Sequence, residues 1–529
     1  MIKVFRLIGL AVVVCSLTIA CSRASNAQQP EYESREIEGW NIRINQRLLK
    51  ESPEPTAKAI GLLTTHLKEI IRAVPAPAVT RLKEVTLYLN PTYEGVRPGA
   101  EYHPGKQWLV DNKRDPNMVK GVEFTNISIF EAENRRMPVF VLHELAHSFH
   151  DRVLGFDNRE IKAAYDRAKA SGTYDKVERW HGDGRPNTFE RAYAMVTPQE
   201  YFAESSEAYF GRNDFYPFTR DELKKHDPEM YKLLTKVWGV ADLVDQTAPS
   251  KFSEIGPPPA SLKLSPFYTK YVDADGYPVI SSAKVNDFAL KEAAYLINLM
   301  LAKRPDVKAA MVKSGSRMVV MAWNEFTTDI PEYANFKPKD YWDARARGLG
   351  GSETDPVCSC AEENVLAYRN DPYAKENILI HEFAHSIHLR GMVNVDPTFD
   401  KRVKATFKKA MDAGLWKGKY ASTNHHEYFA EGVQSWFDNN RFNDFDHNHV
   451  HTRVQLKEYD PGLAALCEEV FGETKLTYTY PTTRLAGHLE GYDPFKSPTF
   501  IWPDRLLEAK AAIRKQAEDR DRKANEKKP

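Results

Sequence analysis

The chain has 529 residues and carries 73 basic and 73 acidic side chains. That balance leaves no charge excess that would argue for nucleic acid or an acidic membrane surface as a partner. The length and a hydrophobic content of 42% fit two globular domains, each long enough for its own core.

At the N-terminus Lys3 and Arg6 precede an apolar run, Leu7 to Ala20, too short to span a membrane comfortably. Ser25-Asn26-Ala27 reads as a signal-peptidase site, and Leu17 to Cys21 as a lipoprotein signal with Cys21 lipidated, although Thr18 stands where leucine is usual. The lipoprotein reading is favoured, and under either reading residues 1–27 direct export to the periplasm or the outside, with membrane attachment through Cys21 as one outcome. A first domain is expected over 30–245, with a helix from Leu62 to Val74 and strands at Val85–Leu89 and Val122–Phe130. Residues 246–264, with Gly256-Pro257-Pro258-Pro259 inside them, read as a semi-rigid linker. A second domain over 265–500 opens with a helix, Phe288–Lys303, and a strand, Met318–Trp323. Residues 501–529 form a charged tail, read from Lys510 onward as a frayed or disordered helix.

The metal-site pattern H-E-x-x-H occurs twice, as His143-Glu144-Leu145-Ala146-His147 and as His381-Glu382-Phe383-Ala384-His385. Each is followed by one further pattern, Glu200-Tyr201-Phe202-Ala203-Glu204 or Glu427-Tyr428-Phe429-Ala430-Glu431. Histidines at i and i+4 share a helix face and can offer imidazole nitrogens to one ion, with the intervening glutamate beside its open side. The glutamate pairs are also spaced i, i+4. One carboxylate of each pair can bind the ion while the other orients a ligating histidine. Spacing alone does not choose between them.

The correspondence runs further. His150 matches His388, Thr219-Arg220 matches Thr452-Arg453, and Asp227-Pro228 matches Asp460-Pro461, each Asp-Pro pair reading as an N-cap with proline at the first helical position. Trp238-Gly239 and Phe471-Gly472 then end the two units. The first copy carries an extra segment around Gly172 to Asn187, read as a surface loop without a lid role.

The stretch His143–His147 with Tyr193 to Glu204 resembles the catalytic domain of anthrax toxin lethal factor and the related secreted Pro-Pro endopeptidases. The resemblance covers about the last hundred residues of each half. It implies an α+β fold with two tandem zincin-like domains, each a small sheet followed by a zinc-binding helix and a mainly helical C-terminal part. It also implies one Zn2+ per domain, two per chain. In the first copy the implied ligands are His143, His147 and Glu200, with Tyr193 as a catalytic tyrosine. In the second they are His381, His385 and Glu427, with Tyr420. Glu204 and Glu431 are then the outer carboxylates.

The function expected is an exported zinc-dependent metallopeptidase acting on protein or peptide. Glu144 or Glu382 takes a proton from a zinc-bound water, and the tyrosine hydroxyl supports the oxyanion. The alternatives are an exported zinc-binding envelope or scaffold protein with one or no active site, and a hydrolase of non-peptide amides. His150 and His388 read as hydrogen-bonded helix histidines, and Arg220 and Arg453 as structural ion-pair partners. Ala344 to Gly351 reads as a glycine turn rather than an edge that receives substrate. His425 and His426 have no match in Pro198-Gln199 and stand outside the site. One disulfide between the Cys358/Cys360 pair and Cys467 is expected.

Overall fold

The computed structural model describes residues 30–182, 184–240, 254–472 and 477–526. The residues read as an export signal lie outside them, as do 241–253, the end of the expected first domain and the start of the region read as linker. The protein is a mixed α+β molecule built on two small sheets. Its buried apolar side chains fall into two large clusters, one drawn from Trp40 to Val240 and the other from Val272 to Tyr492.

The first sheet begins with a hairpin, β1 (Tyr32–Ile37) and β2 (Trp40–Asn45), and continues with β3 (Leu87–Leu89), β4 (Ala100–Tyr102) and β5 (Val122–Phe124). Its order is β1-β2-β3-β5-β4. The two inner pairings, β2 with β3 and β3 with β5, are parallel, while β4 runs antiparallel to β5 at the edge. A short hairpin, β6 (Val177–Arg179) and β7 (Thr188–Glu190), stands apart. The second sheet holds β8 (Lys270–Ala274), β9 (Tyr277–Ser281), β10 (Arg317–Met321) and β11 (Val357–Ala361). Here too an antiparallel hairpin, β8–β9, is followed by parallel pairings to β10 and β11. Beyond β11 an antiparallel bridge between Leu349 and Ser359 stands where β4 stands in the first sheet. Helices Pro53–Ala73 and Asp287–Met300 make the crossovers that parallel neighbours require.

Several sequence expectations change. The strand expected over Val122–Phe130 stops at Phe124, because Ile127–Ile129 form a 3-10 turn and Phe130 opens a helix with two acidic residues in its first turn. Gly256, placed in the linker, exchanges both backbone hydrogen bonds with Tyr271 of β8. The charged tail begins as a docked helix over Asp504–Glu526: Leu506 is buried against Phe326 and Ala344, and Arg505 pairs with Asp340 and Asp343. Cys358, Cys360 and Cys467 are free and buried, so the expected disulfide is absent. All three thiols belong to the second apolar cluster and pack there as small hydrophobic groups. Among the described residues no helix is long and apolar enough to cross a membrane.

The Asp-Pro pairs do open closing helices, Pro228–Val237 and Pro461–Phe471, with proline at the first turn. Each aspartate does more than cap. Asp460 accepts from the Leu463 backbone N–H at 3.0 Å, Tyr428 Oη at 2.6 Å and Trp416 Nε1 at 2.9 Å. Asp227 accepts from Met230 N at 3.1 Å and Tyr201 Oη at 2.5 Å. The tyrosine beside each candidate ligand glutamate is thereby tied to the closing helix. Asp460→Ala removes the cap and leaves two buried donors unmatched, a loss of about 2–4 kcal/mol. A clear fall in the urea midpoint of the second half's transition is expected, and an unchanged midpoint contradicts this role.

Candidate functional site

The first H-E-x-x-H lies on helix Phe140–Phe149, which packs against helix Pro198–Phe210. Thr197 caps the second helix by accepting from Glu200 N at 3.1 Å, which fixes Glu200 in the first turn. Every residue from Tyr201 to Phe210 is buried, so this helix runs through the interior and brings carboxylates to the histidines. His143 Nε2 lies 3.1 Å from His147 Nε2 and 3.1 Å from Glu200 Oε2, and His147 Nε2 lies 3.3 Å from that oxygen. Three donors around one tetrahedral ion with bonds of 2.0–2.1 Å would stand about 3.3 Å apart. The set therefore fits zinc in both type and spacing.

The second set repeats this on helices Ile378–Ser386 and His425–Trp436. His381 Nε2 and His385 Nε2 stand 3.1 Å and 3.4 Å from Glu427 Oε2. Asn424 is the cap, accepting from Glu427 N at 3.0 Å.

The partner of the outer ring nitrogen is not the expected one. Glu204 lies 3.9 Å from His143 Nδ1, whereas Glu207 Oε1 is hydrogen-bonded to it at 2.7 Å. In the second set Glu431 is 3.7 Å from His381 Nδ1, and Gln434 Oε1 accepts at 2.8 Å. Glu207 and Gln434 sit seven residues after the ligand glutamates, two turns along the same face, and that spacing is the signal that sequence reading passed over. Gln434 in turn donates to Glu376 at 3.0 Å. Glu204 is pushed well above the usual carboxylate range by burial and by the neighbouring Glu207 and Asp214. Glu431 is held low, because hydrogen bonds from His447 and Asn440 outweigh its burial.

Glu144 is fixed by the sheet. Its Oε2 accepts from Tyr102 N at 2.8 Å, on the outward side of the edge strand β4. Burial raises its carboxyl to about 8, and Glu200 adds to the effect. Glu382 is raised for the same first reason, burial. Tyr193 and Tyr420 open matching 3-10 turns just before the carboxylate helices. Tyr193 is 45% exposed and lines a cavity of about 550 Å³ together with Ala100, His143, Glu144, Arg179 and Arg191. The Tyr420 ring lies 6.2 Å from that of His381.

The segment Gly172–Asn187, read as a loop without a role at the site, contains β6, and Arg179 and Glu190 of this hairpin form a wall of the first cavity. The Arg347–Gly351 stretch, read as a turn, is an edge segment pressed onto the second motif helix. A Cβ on Gly350 would stand 2.6 Å from His385 Cβ, and one on Gly348 would stand 2.5 Å from Ile378. Arg220 and Arg453 stack on aromatic rings, 4.0 Å from Tyr209 and 4.7 Å from Trp436. His150 and His388 are buried and neither makes a hydrogen bond through its ring nitrogens, contrary to the expectation for both.

Residues 119–237 match the family model described as anthrax toxin lethal factor, N- and C-terminal domain. That span contains the whole first set and supports a metalloendopeptidase-type hydrolase. A solved structure of the Pro-Pro endopeptidase PPEP-2 from Paenibacillus alvei is similar at 18% identity over 36% of this chain and 97% of its own, with a TM-score of 0.26. A comparison with curated proteins finds no match.

Two outcomes follow from the geometry. Glu207→Ala frees the His143 ring and should weaken zinc binding at the first set by 10–100-fold. Glu207→Gln, which installs the residue found at 434, should keep it within a few-fold, as read by competition with a chelator. Equal losses in both variants contradict the orienting role. Gly350→Ala should displace His385 and cost the second set its metal, and unchanged zinc content would contradict that close packing.

Proposed function

We propose that the protein is an exported zinc-dependent metallopeptidase made of two tandem zincin-like units, hydrolysing peptide bonds at the first site. The observation that carries this reading is the convergence of His143, His147 and Glu200 at tetrahedral spacing, with His143 and Glu144 lining a cavity that Ala100 of the edge strand β4 also lines. The shared strand order of the two sheets supports the duplication. The second set, His381, His385 and Glu427 with Glu382 and Tyr420, binds a second zinc.

Zinc held there lowers the pKa of a water and polarises a carbonyl. The protein's own groups account for the rest. Tyr102 N–H holds Glu144 Oε2, leaving its other carboxylate oxygen to take a proton from water and pass it to the departing amine. Burial makes this carboxylate a stronger base than an exposed glutamate. The Tyr193 hydroxyl, in the lining of the same cavity, donates to the oxyanion as the carbonyl becomes tetrahedral. Ala100 on β4 lines the same cavity, so an extended peptide can add to that edge through backbone hydrogen bonds. Export rests on Lys3, Arg6 and the Leu7–Ala20 run, with a lipid on Cys21 as the anchor.

Glu144→Gln should keep its zinc and lose at least about 10²-fold in peptidase rate, measured on a quenched peptide library. Loss of the metal with the activity would make Glu144 structural, and retained activity would defeat the mechanism. For the anchor, Cys21→Ser should move the chain from the membrane to the soluble fraction, and an unchanged distribution would remove the lipid reading.

A further inference from the structure

A third donor cluster, sharing no residue with either zinc set, lies in the second half next to the second set, where His426 directly precedes Glu427. Asp400 on helix Phe399–Asp412 faces the paired histidines that open the second carboxylate helix. His425 Nε2 is 3.0 Å from Asp400 Oδ1 and His426 Nε2 is 3.9 Å from the same oxygen. The two imidazoles are side by side, with ring centres 3.9 Å apart. Ligand atoms of Asp400, His425 and His426 all lie within 4.8 Å of one another. Lys404 holds the other carboxylate oxygen at 2.6 Å, so Oδ1 is the one turned to the histidines.

The second observation comes from behind the carboxylate. His388 is 0% exposed, and neither of its ring nitrogens makes a hydrogen bond. Its Nε2 stands 3.3 Å from Asp400 Oδ1, within ion-pair distance of the cluster's carboxylate. A buried polar ring left without a hydrogen bond is costly, and this one lies beside the cluster.

The first half provides an internal contrast. His150 is also buried and without hydrogen bonds, and it packs on Phe156 and Phe202 as His388 packs on Phe399 and Phe429, but among the described residues only His388 has a carboxylate within ion-pair distance. Pro198-Gln199 replace the histidine pair there. The ligating side chains are therefore peculiar to the second half.

We propose that Asp400, His425 and His426, backed by His388, form a third metal site that binds a borderline divalent cation of the zinc class. Two imidazoles and a carboxylate, with a further imidazole at the same oxygen, are the donors such ions prefer. The other cluster of this kind outside the zinc sets, Glu101, His103 and Glu123, is already neutralised by Arg114, which contacts both glutamates. Among the described residues the lysine or arginine paired with Asp400 is Lys404, a half-exposed amine on the outer oxygen.

The test uses the full chain with His143, His147, His381 and His385 all changed to alanine, equilibrated with Zn2+ alone, desalted and analysed for metal. Folding is checked by circular dichroism. One zinc per chain is expected, and none once Asp400→Ala and His425→Ala are added. A folded quadruple variant that binds no zinc overturns the proposal, and so does one whose zinc survives the added changes. If the quadruple variant does not fold, the wild-type chain decides. His425→Ala with His426→Ala should lower its zinc content by one per chain, while His150→Ala leaves it unchanged. An equal content in all three would also overturn the site. None of these readings depends on peptidase activity, so failure here is separable from failure of the hydrolase reading.

Discussion

Everything at the first site depends on one crossing of two helices. A helix turn sets His143 and His147 on one face, and the interior helix Pro198–Phe210 brings a carboxylate to the point where their nitrogens meet. The donor set keeps its spacing while the His143 ring is oriented, and Glu207 orients it through Nδ1. The same contact through Gln434 organises the second site. A neutral amide and a carboxylate both accept from an imidazole N–H, so both can hold the ring with Nε2 turned inward.

The two solutions differ in charge. Around His143 the buried carboxylates Glu204, Glu207 and Asp214 gather, balanced by Arg136 and Arg179 at 3.6 Å and 3.4 Å from Asp214. Around His381 the amide of Gln434 moves the carboxylate one residue outward to Glu376, and His447 pairs with Glu431. Burying uncompensated carboxylates is costly. A divalent ion among them would offset that cost most strongly at the first site. The sheets contribute differently as well. The first offers an edge strand whose Tyr102 N–H positions Glu144, whereas the second offers a glycine segment that only side chains without a Cβ could lay against the motif helix.

The histidine pairs and the glutamate pairs were legible in the sequence, because i, i+4 spacing and a repeated pattern are properties of the chain itself, whereas the choice of Glu200 and Glu427 as the ligands came from the resemblance. The Asp-Pro caps were legible for the same reason, since capping is local. What escaped was set by tertiary packing. Glu207 and Gln434 lay on the expected face, but their role depends on how closely two helices approach. The hairpin that begins within Gly172–Asn187 has little apolar alternation, and its strands are three residues each. His150 and His388 are ordinary helix histidines by sequence, and only the packing around them shows that their ring nitrogens make no hydrogen bond. The docked start of the tail depends on Leu506 and Arg505 finding Phe326, Asp340 and Asp343, more than 160 residues away in sequence.

The most direct measurement is a crystal structure of the zinc-equilibrated full chain with anomalous difference maps at the zinc edge. The account predicts one peak among His143 Nε2, His147 Nε2 and Glu200 Oε2, and another among His381 Nε2, His385 Nε2 and Glu427 Oε2. Zinc-saturated crystals without density at the first triad, its side chains ordered as described here, would contradict it.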